Sequence, residues 1–178
     1  MRKVFLIAGL MTAFAVAVVA SSAAANFAGT WTLDKTKSQG LSPRMAGADK
    51  VTWTITQDAA TISLDSKVEG GQPPAGGPGG GGGRPPAGPT VYKLDGSEVT
   101  SDVTFGQMTG KQTLKATWNG DALELSRKTS STGPDGTERT STNTQKLSLS
   151  GDGKVLTAAV HSEGGRGGPT DSTLVFNK

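Results

Sequence analysis

Arg127 and Arg139 are the side chains whose type and placement most directly suggest recognition chemistry. Each stands in an alternating run, on the parity that carries leucines further along the same run. One run holds Leu123, Leu125, Arg127 and Thr129; the next holds Arg139, Ser141, Asn143, Gln145, Leu147 and Leu149. An inward guanidinium at the polar end of an apolar face can bind a carboxylate or phosphate through paired N–H donors, while the apolar part of the same ligand lies deeper. Trp53 and Tyr92, on two further runs, would add ring surface and a phenolic hydroxyl. The plainer expectation is that rim arginines extend to solvent, paired with Glu138 or Glu69.

Other chemistries find no support. His161 is the single histidine and cysteine is absent, so no zinc-type ligand set, Cys-His nucleophile or serine triad can be assembled around it. Asp34, Asp65, Glu98, Asp102 and Glu124 fall on the opposite parity from the apolar residues and read as a solvated face. The stretch 70–89 satisfies dinucleotide-type glycine spacings by composition alone, but prolines 73, 74, 78, 85, 86 and 89 exclude the helix that a phosphate cradle needs. It reads as a disordered or polyproline-like loop, echoed at 164–169; Arg84 and Arg166 would flank the same end of the fold. The segment 106–112 superficially resembles a nucleotide-binding loop but has the wrong spacing, and reads as a hairpin turn. No enzyme activity, metal or cofactor is expected.

Composition sets the scale of what can position these residues. Of 178 residues 34% are hydrophobic, and about a third of those fall in the first 25 positions. There Arg2 and Lys3 precede an apolar run from Val4 to Ala20, and Ala23-Ala24-Ala25 offers the small residues of a peptidase site. Residues 1–25 therefore read as a signal peptide cleaved before Asn26. The expected location is periplasmic or secreted, with no stable membrane anchor after cleavage. Losing Arg2 and Lys3 lowers the formal charge from +3 to about +1, which is no nucleic-acid footprint. The rest, 26–178, is one domain with about 27% hydrophobic residues and 25 of the 26 glycines. That composition argues against a large helical core.

What it does contain is period-two alternation, as in Val51-x-Trp53-x-Ile55, Leu114-x-Ala116-x-Trp118 and Leu174-x-Phe176, with threonine and serine between. Turn formers punctuate the runs at Asp58, Asp95-Gly96, Asn119-Gly120-Asp121, Pro134-Asp135-Gly136 and Gly151-Asp152-Gly153. Ten strands are predicted, near 29–36, 51–57, 61–69, 90–94, 98–105, 111–118, 122–130, 137–149, 155–162 and 170–177, with helix at most inside 41–48. An antiparallel up-and-down meander hides its edges by closing into an all-β barrel; an open β-sandwich is the alternative. The short turns gather at one end with both termini, the base. Every long connection, including 106–110, gathers at the other, the mouth. Trp31, Trp53, Trp118, Leu123, Leu125, Leu147, Leu149 and Phe176 would form a dry base cluster.

The opening 26–33, Asn-Phe-Ala-Gly-Thr-Trp-Thr-Leu, followed by Asp34, Lys35 and Ser38, resembles the first-strand Gly-x-Trp signature of lipocalins and fatty-acid-binding proteins. It is more similar still to lipocalin-like exported bacterial β-barrel proteins of uncharacterised function. The resemblance implies that Trp31, beside Gly29, closes the barrel base and that a basic residue from the end of the chain, Lys178, packs across it. It also implies a small apolar or amphipathic ligand, with Trp53, Tyr92, Arg127 and Arg139 as the candidate contacts. A different class of function stays open: a structural or interaction module of the cell envelope whose barrel is simply filled.

Overall fold

A chain that alternates one apolar residue with one threonine or serine can be extended with one dry and one wet face, and little else. The computed structural model follows that rule. It describes residues 24–70, 88–105, 108–133, 136–164 and 168–178; the predicted leader up to 23, most of the glycine-proline loop with Arg84, and Arg166 lie outside the described residues. Ten strands run β1 (Gly29–Leu33), β2 (Lys50–Gln57), β3 (Thr61–Glu69), β4 (Thr90–Lys93), β5 (Val99–Phe105), β6 (Met108–Asn119), β7 (Ala122–Thr132), β8 (Glu138–Leu149), β9 (Val155–Glu163) and β10 (Thr170–Asn177). One helical turn, α1 (Pro43–Ala46), lies between β1 and β2; Ser42 caps its start and Lys35 reaches the Ala46 and Ala48 carbonyls at its end.

All strands join one antiparallel sheet in the order β4-β3-β2-β1-β10-β9-β8-β7-β6-β5. The first and last strands therefore meet, and the sheet curls into a barrel. It is not sealed all round, as a fully closed meander would be. The sheet ends at β4 and β5, and β4 lies against β6 without a ladder between them. With only four residues, β4 has little backbone to offer a further partner.

Two expected boundaries move. β1 stops at Leu33 because the Asp34 carboxylate takes the N–H groups of Thr36 and Lys37 and turns the chain. β6 begins at Met108, paired with Phe105, so the long mouth loop expected at 106–110 shrinks to two residues. Gly110 belongs to the strand: a Cβ there would stand 2.3 Å from the Ser130 carbonyl oxygen, so this glycine permits close approach of β7 rather than a turn.

The closure between β1 and β10 is thin. Its ladder pairs Thr32 with Asn177 and Leu33 with Phe176. The following loop extends it: Asp34 donates to the Val175 carbonyl at 2.7 Å, and Gln39 and Thr173 exchange backbone bonds of 2.8 and 3.0 Å. Between these, the Ser38 hydroxyl accepts the Val175 N–H at 2.9 Å, standing in for a missing backbone carbonyl.

The dry half of the interior is built by Trp31, Ile55, Ile62, Leu123, Leu125, Leu147, Leu156 and Phe176, all buried. Each large apolar side chain removed from water contributes ~1.5–3 kcal/mol, so this cluster must carry most of the stability of so lean a chain. Trp118 and Leu149, expected inside it, are only half-buried and pack against its edge. Phe27, which the sequence places just past the predicted cleavage point, is fully buried. Its N–H donates to Gln57 Oε1 (2.9 Å), its carbonyl accepts Trp31 Nε1 (2.8 Å), and its ring stacks on Trp118 at 6.1 Å. Gln57 Nε2 in turn donates to the Ala25 carbonyl at 3.0 Å, so one amide clamps the chain on both sides of Asn26.

Candidate ligand-binding interior

Cross-strand register fixes which side chains share the inner face, because paired residues point the same way. From Leu114 on β6 the register passes to Arg127 on β7, Asn143 on β8, Ser162 on β9 and Thr170 on β10. The neighbouring inward row toward the mouth holds Gln112, Thr129 and Ser141. The inner wall thus changes from leucine at the base to short polar side chains above it. Nearer the rim the inward positions reach solvent: Ser66, Arg139, Ser141 and Thr170 are all exposed. On β7 to β10 the wall above the apolar floor is therefore polar, whereas on β2 and β3 it stays apolar toward the mouth, where Val51 pairs with Val68 and is buried beside Ala48.

Tyr92 and Arg127 share the inner surface, Tyr92 opposite Ile62 and Arg127 opposite Leu114. Tyr92 is buried on β4, beside the seam, and Arg127 is half-buried on β7. Burial holds the Tyr92 phenol above its usual range, and the Arg127 charge partly offsets that rise. A phenolic hydroxyl and a guanidinium on one inner surface form a donor pair for an anionic group. Arg139 does not join them. It pairs with Ser131, four positions from Arg127 toward the mouth, which is about 13 Å along a strand, and its side chain is exposed.

Trp53 sits lower, 3% exposed, with its ring 4.3 Å from that of Phe176. Its Nε1 makes no hydrogen bond among the described residues, and Gln145 Oε1 is the other buried side-chain atom in that condition. Gln145 is otherwise engaged: its Nε2 donates to Asn143 Oδ1 (3.0 Å), and Asn143 Nδ2 donates to Ser162 Oγ (2.8 Å). Sequence parity places Asn143 and Gln145 inward, but nothing in it signals that they form a chain or that one end is left over. Gln112, at the end of the segment read as a hairpin turn, is buried on the same wall.

At the base, Lys178 Nζ lies 5.2 Å from the centre of the Trp31 ring, within cation–π reach. Gly29 adopts φ +145°, and a Cβ there would come within 2.9 Å of Lys178 Cε. The three residues named by the Gly-x-Trp resemblance therefore occupy one place in the structure.

Two open grooves lie on the outside. One, about 470 Å³, runs over β8–β10 between Gln39, Thr144, Lys146, His161 and Asp171. There His161 Nδ1 meets Asp171 Oδ1 at 2.6 Å and Nε2 meets Glu163 Oε1 at 2.9 Å. Both carboxylates raise its pKa, Asp171 most, and both ring nitrogens are occupied, so neither is free to act as a base. The other groove, about 430 Å³, lies at the base between Asn26, Gln57, Leu94 and Trp118. Among the described residues no group of three or more metal-type ligands converges. No protein family, curated protein or solved structure matches the chain.

Proposed function

We propose that this protein is an exported, lipocalin-like carrier that binds a small amphipathic molecule inside its barrel, without catalysing a reaction. The observation that supports the reading best is the graded inner wall. Apolar positions around Trp53, Leu125 and Phe176 give way to Arg127, Asn143 and Ser162, and above these to inward positions that are solvent-exposed. An amphiphile matches that gradient end for end, its apolar body toward the floor and its anionic head at Tyr92 and Arg127. A barrel serving only as a structural module would gain by packing this wall with apolar side chains, and along β7 to β9 it is lined instead with serine, threonine and amides.

The reading is tested with 1-anilinonaphthalene-8-sulfonate, an aromatic anion whose emission rises in apolar surroundings, and by native mass spectrometry of protein taken from its own host. Saturable binding to the folded protein is expected, with a loss of about tenfold or more in Arg127→Gln, since an unpaired anion would then face Tyr92 alone. A co-purifying mass of a few hundred daltons would identify the natural ligand. Absence of both probe binding and any co-purifying molecule would leave the structural-module reading in its place.

A further inference from the structure

The Gln57 amide grips the chain ahead of β1 by both of its ends. Its Oε1 accepts the Phe27 N–H at 2.9 Å, and its Nε2 donates to the Ala25 carbonyl at 3.0 Å. Ala25 is half-buried against the core, while Ala24 is exposed and lines the base groove together with Asp58, Leu94 and Trp118. In the sequence, small residues stand one and three positions ahead of each of three successive bonds. They are Ala23 and Ser21 ahead of Ala24, Ala24 and Ser22 ahead of Ala25, and Ala25 and Ala23 ahead of Asn26. All three bonds meet the small-residue requirement of a signal peptidase.

Once folded, the three products are not equal. A chain beginning at Asn26 has lost the Ala25 carbonyl and carries an ammonium in its place, so the Gln57 NH2 faces a second donor. Turning the amide over only moves the conflict, because its NH2 would then meet the N–H of Phe27, whose side chain is fully buried. A chain beginning at Ala25 puts its ammonium on a half-buried residue packed against the core, where a charge forfeits hydration. A chain beginning at Ala24 keeps both hydrogen bonds and carries its ammonium on an exposed residue, in a groove that Asp58 also lines. We propose that export processing cuts this chain no later than the bond before Ala24, so that the mature protein keeps Ala24 and Ala25 as working parts of its base. The inference rests on the export reading above and fixes where the leader ends.

The test is N-terminal sequencing and intact mass of the protein exported by its own host, with the melting of two chains prepared to begin at Ala24 and at Asn26. The exported protein is expected to begin at Ala24. The chain beginning at Asn26 is expected to melt about 2–4 °C lower, the shift for one lost hydrogen bond in a domain of this size. In Gln57→Glu, which still accepts from Phe27 but no longer donates to Ala25, that difference should vanish or reverse, since a carboxylate attracts the Asn26 ammonium. An exported chain beginning at Ala25 or Asn26 overturns the proposal and leaves the export reading intact, as do equal midpoints for the two starts or a difference unchanged in Gln57→Glu. A chain that still carries Met1 removes the export reading and this inference with it.

Discussion

Phe27→Ala offers the sharpest check on how the barrel base is built. The side chain is fully buried, stacked on Trp118, and its backbone is held by Gln57 and Trp31. Truncating a buried phenylalanine costs about 3–5 kcal/mol, from lost transfer energy and the cavity left behind. A domain of this size loses about 2–4 °C per kcal/mol, so the midpoint should fall by roughly 10 °C. Native stabilities are about 5–15 kcal/mol, so the variant should still fold, and Phe27→Leu gives a milder second point. Urea unfolding followed by the emission of the three tryptophans measures the loss. Val91→Ala, at an exposed valine, supplies the control and should be within about 0.5 kcal/mol of wild type. If Phe27→Ala were as mild as Val91→Ala, the segment before β1 would not be seated in the base, and the account of how the base is sealed would be wrong.

Other outcomes follow from single sites. Asp171 and Glu163 raise the His161 pKa above 6.5, so its stabilisation should be complete below pH 6.5 and vanish as pH rises through the elevated value, and His161→Gln should remove that dependence in pH-resolved unfolding. Asp34 behaves oppositely. Hydrogen bonds from Thr36, Asn177 and Lys37 lower its pKa from 3.8, so its contribution should persist above pH 3.8 and disappear in more acid solution, and Asp34→Asn should flatten the acid limb of the unfolding profile. Gly29→Ala should destabilise by about 1 kcal/mol or more, because φ +145° disfavours a side chain and Lys178 must shift; a melting point equal to wild type would contradict this packing.

Most of the architecture was legible because alternation is a local signal. Val51, Trp53 and Ile55 declare an inward face without reference to any other strand, and asparagine- and aspartate-glycine pairs mark where the chain reverses. What escaped depends on partners far away in sequence. Gly110 was read as a turn residue because glycine usually is one; only the approach of the Ser130 carbonyl reveals its use. The seam beside β4 is a matter of ladder that fails to form, and no residue announces it. Phe27 stood in the stretch read for its Gly-x-Trp resemblance, with no role of its own, and its seating depends on Gln57, thirty positions on. In the interior, Arg127 was found by parity, yet its separation from Arg139 depends on which rows each strand contributes. The unpaired ends of Trp53 and Gln145 follow from three-dimensional accounting that no one-dimensional pattern contains.

The meeting of β1 with β10 has a consequence in time. Thr32 must find Asn177, so the segment that completes the closed edge is the last to become available. Until then β1 has a partner on one side only, and the growing sheet carries an open edge there in addition to the one at the seam. Joining ends separated by some 145 residues costs about 4 kcal/mol in chain entropy, recovered only when the short ladder, Ser38 and Gln39 engage together. Folding should therefore be a late, concerted event with a slow rate typical of non-local β pairing. A chain cut short before Thr170 should keep hairpins but never a barrel, and the bare edges of β1 and β9, added to those at the seam, make it a candidate for aggregation rather than for partial function.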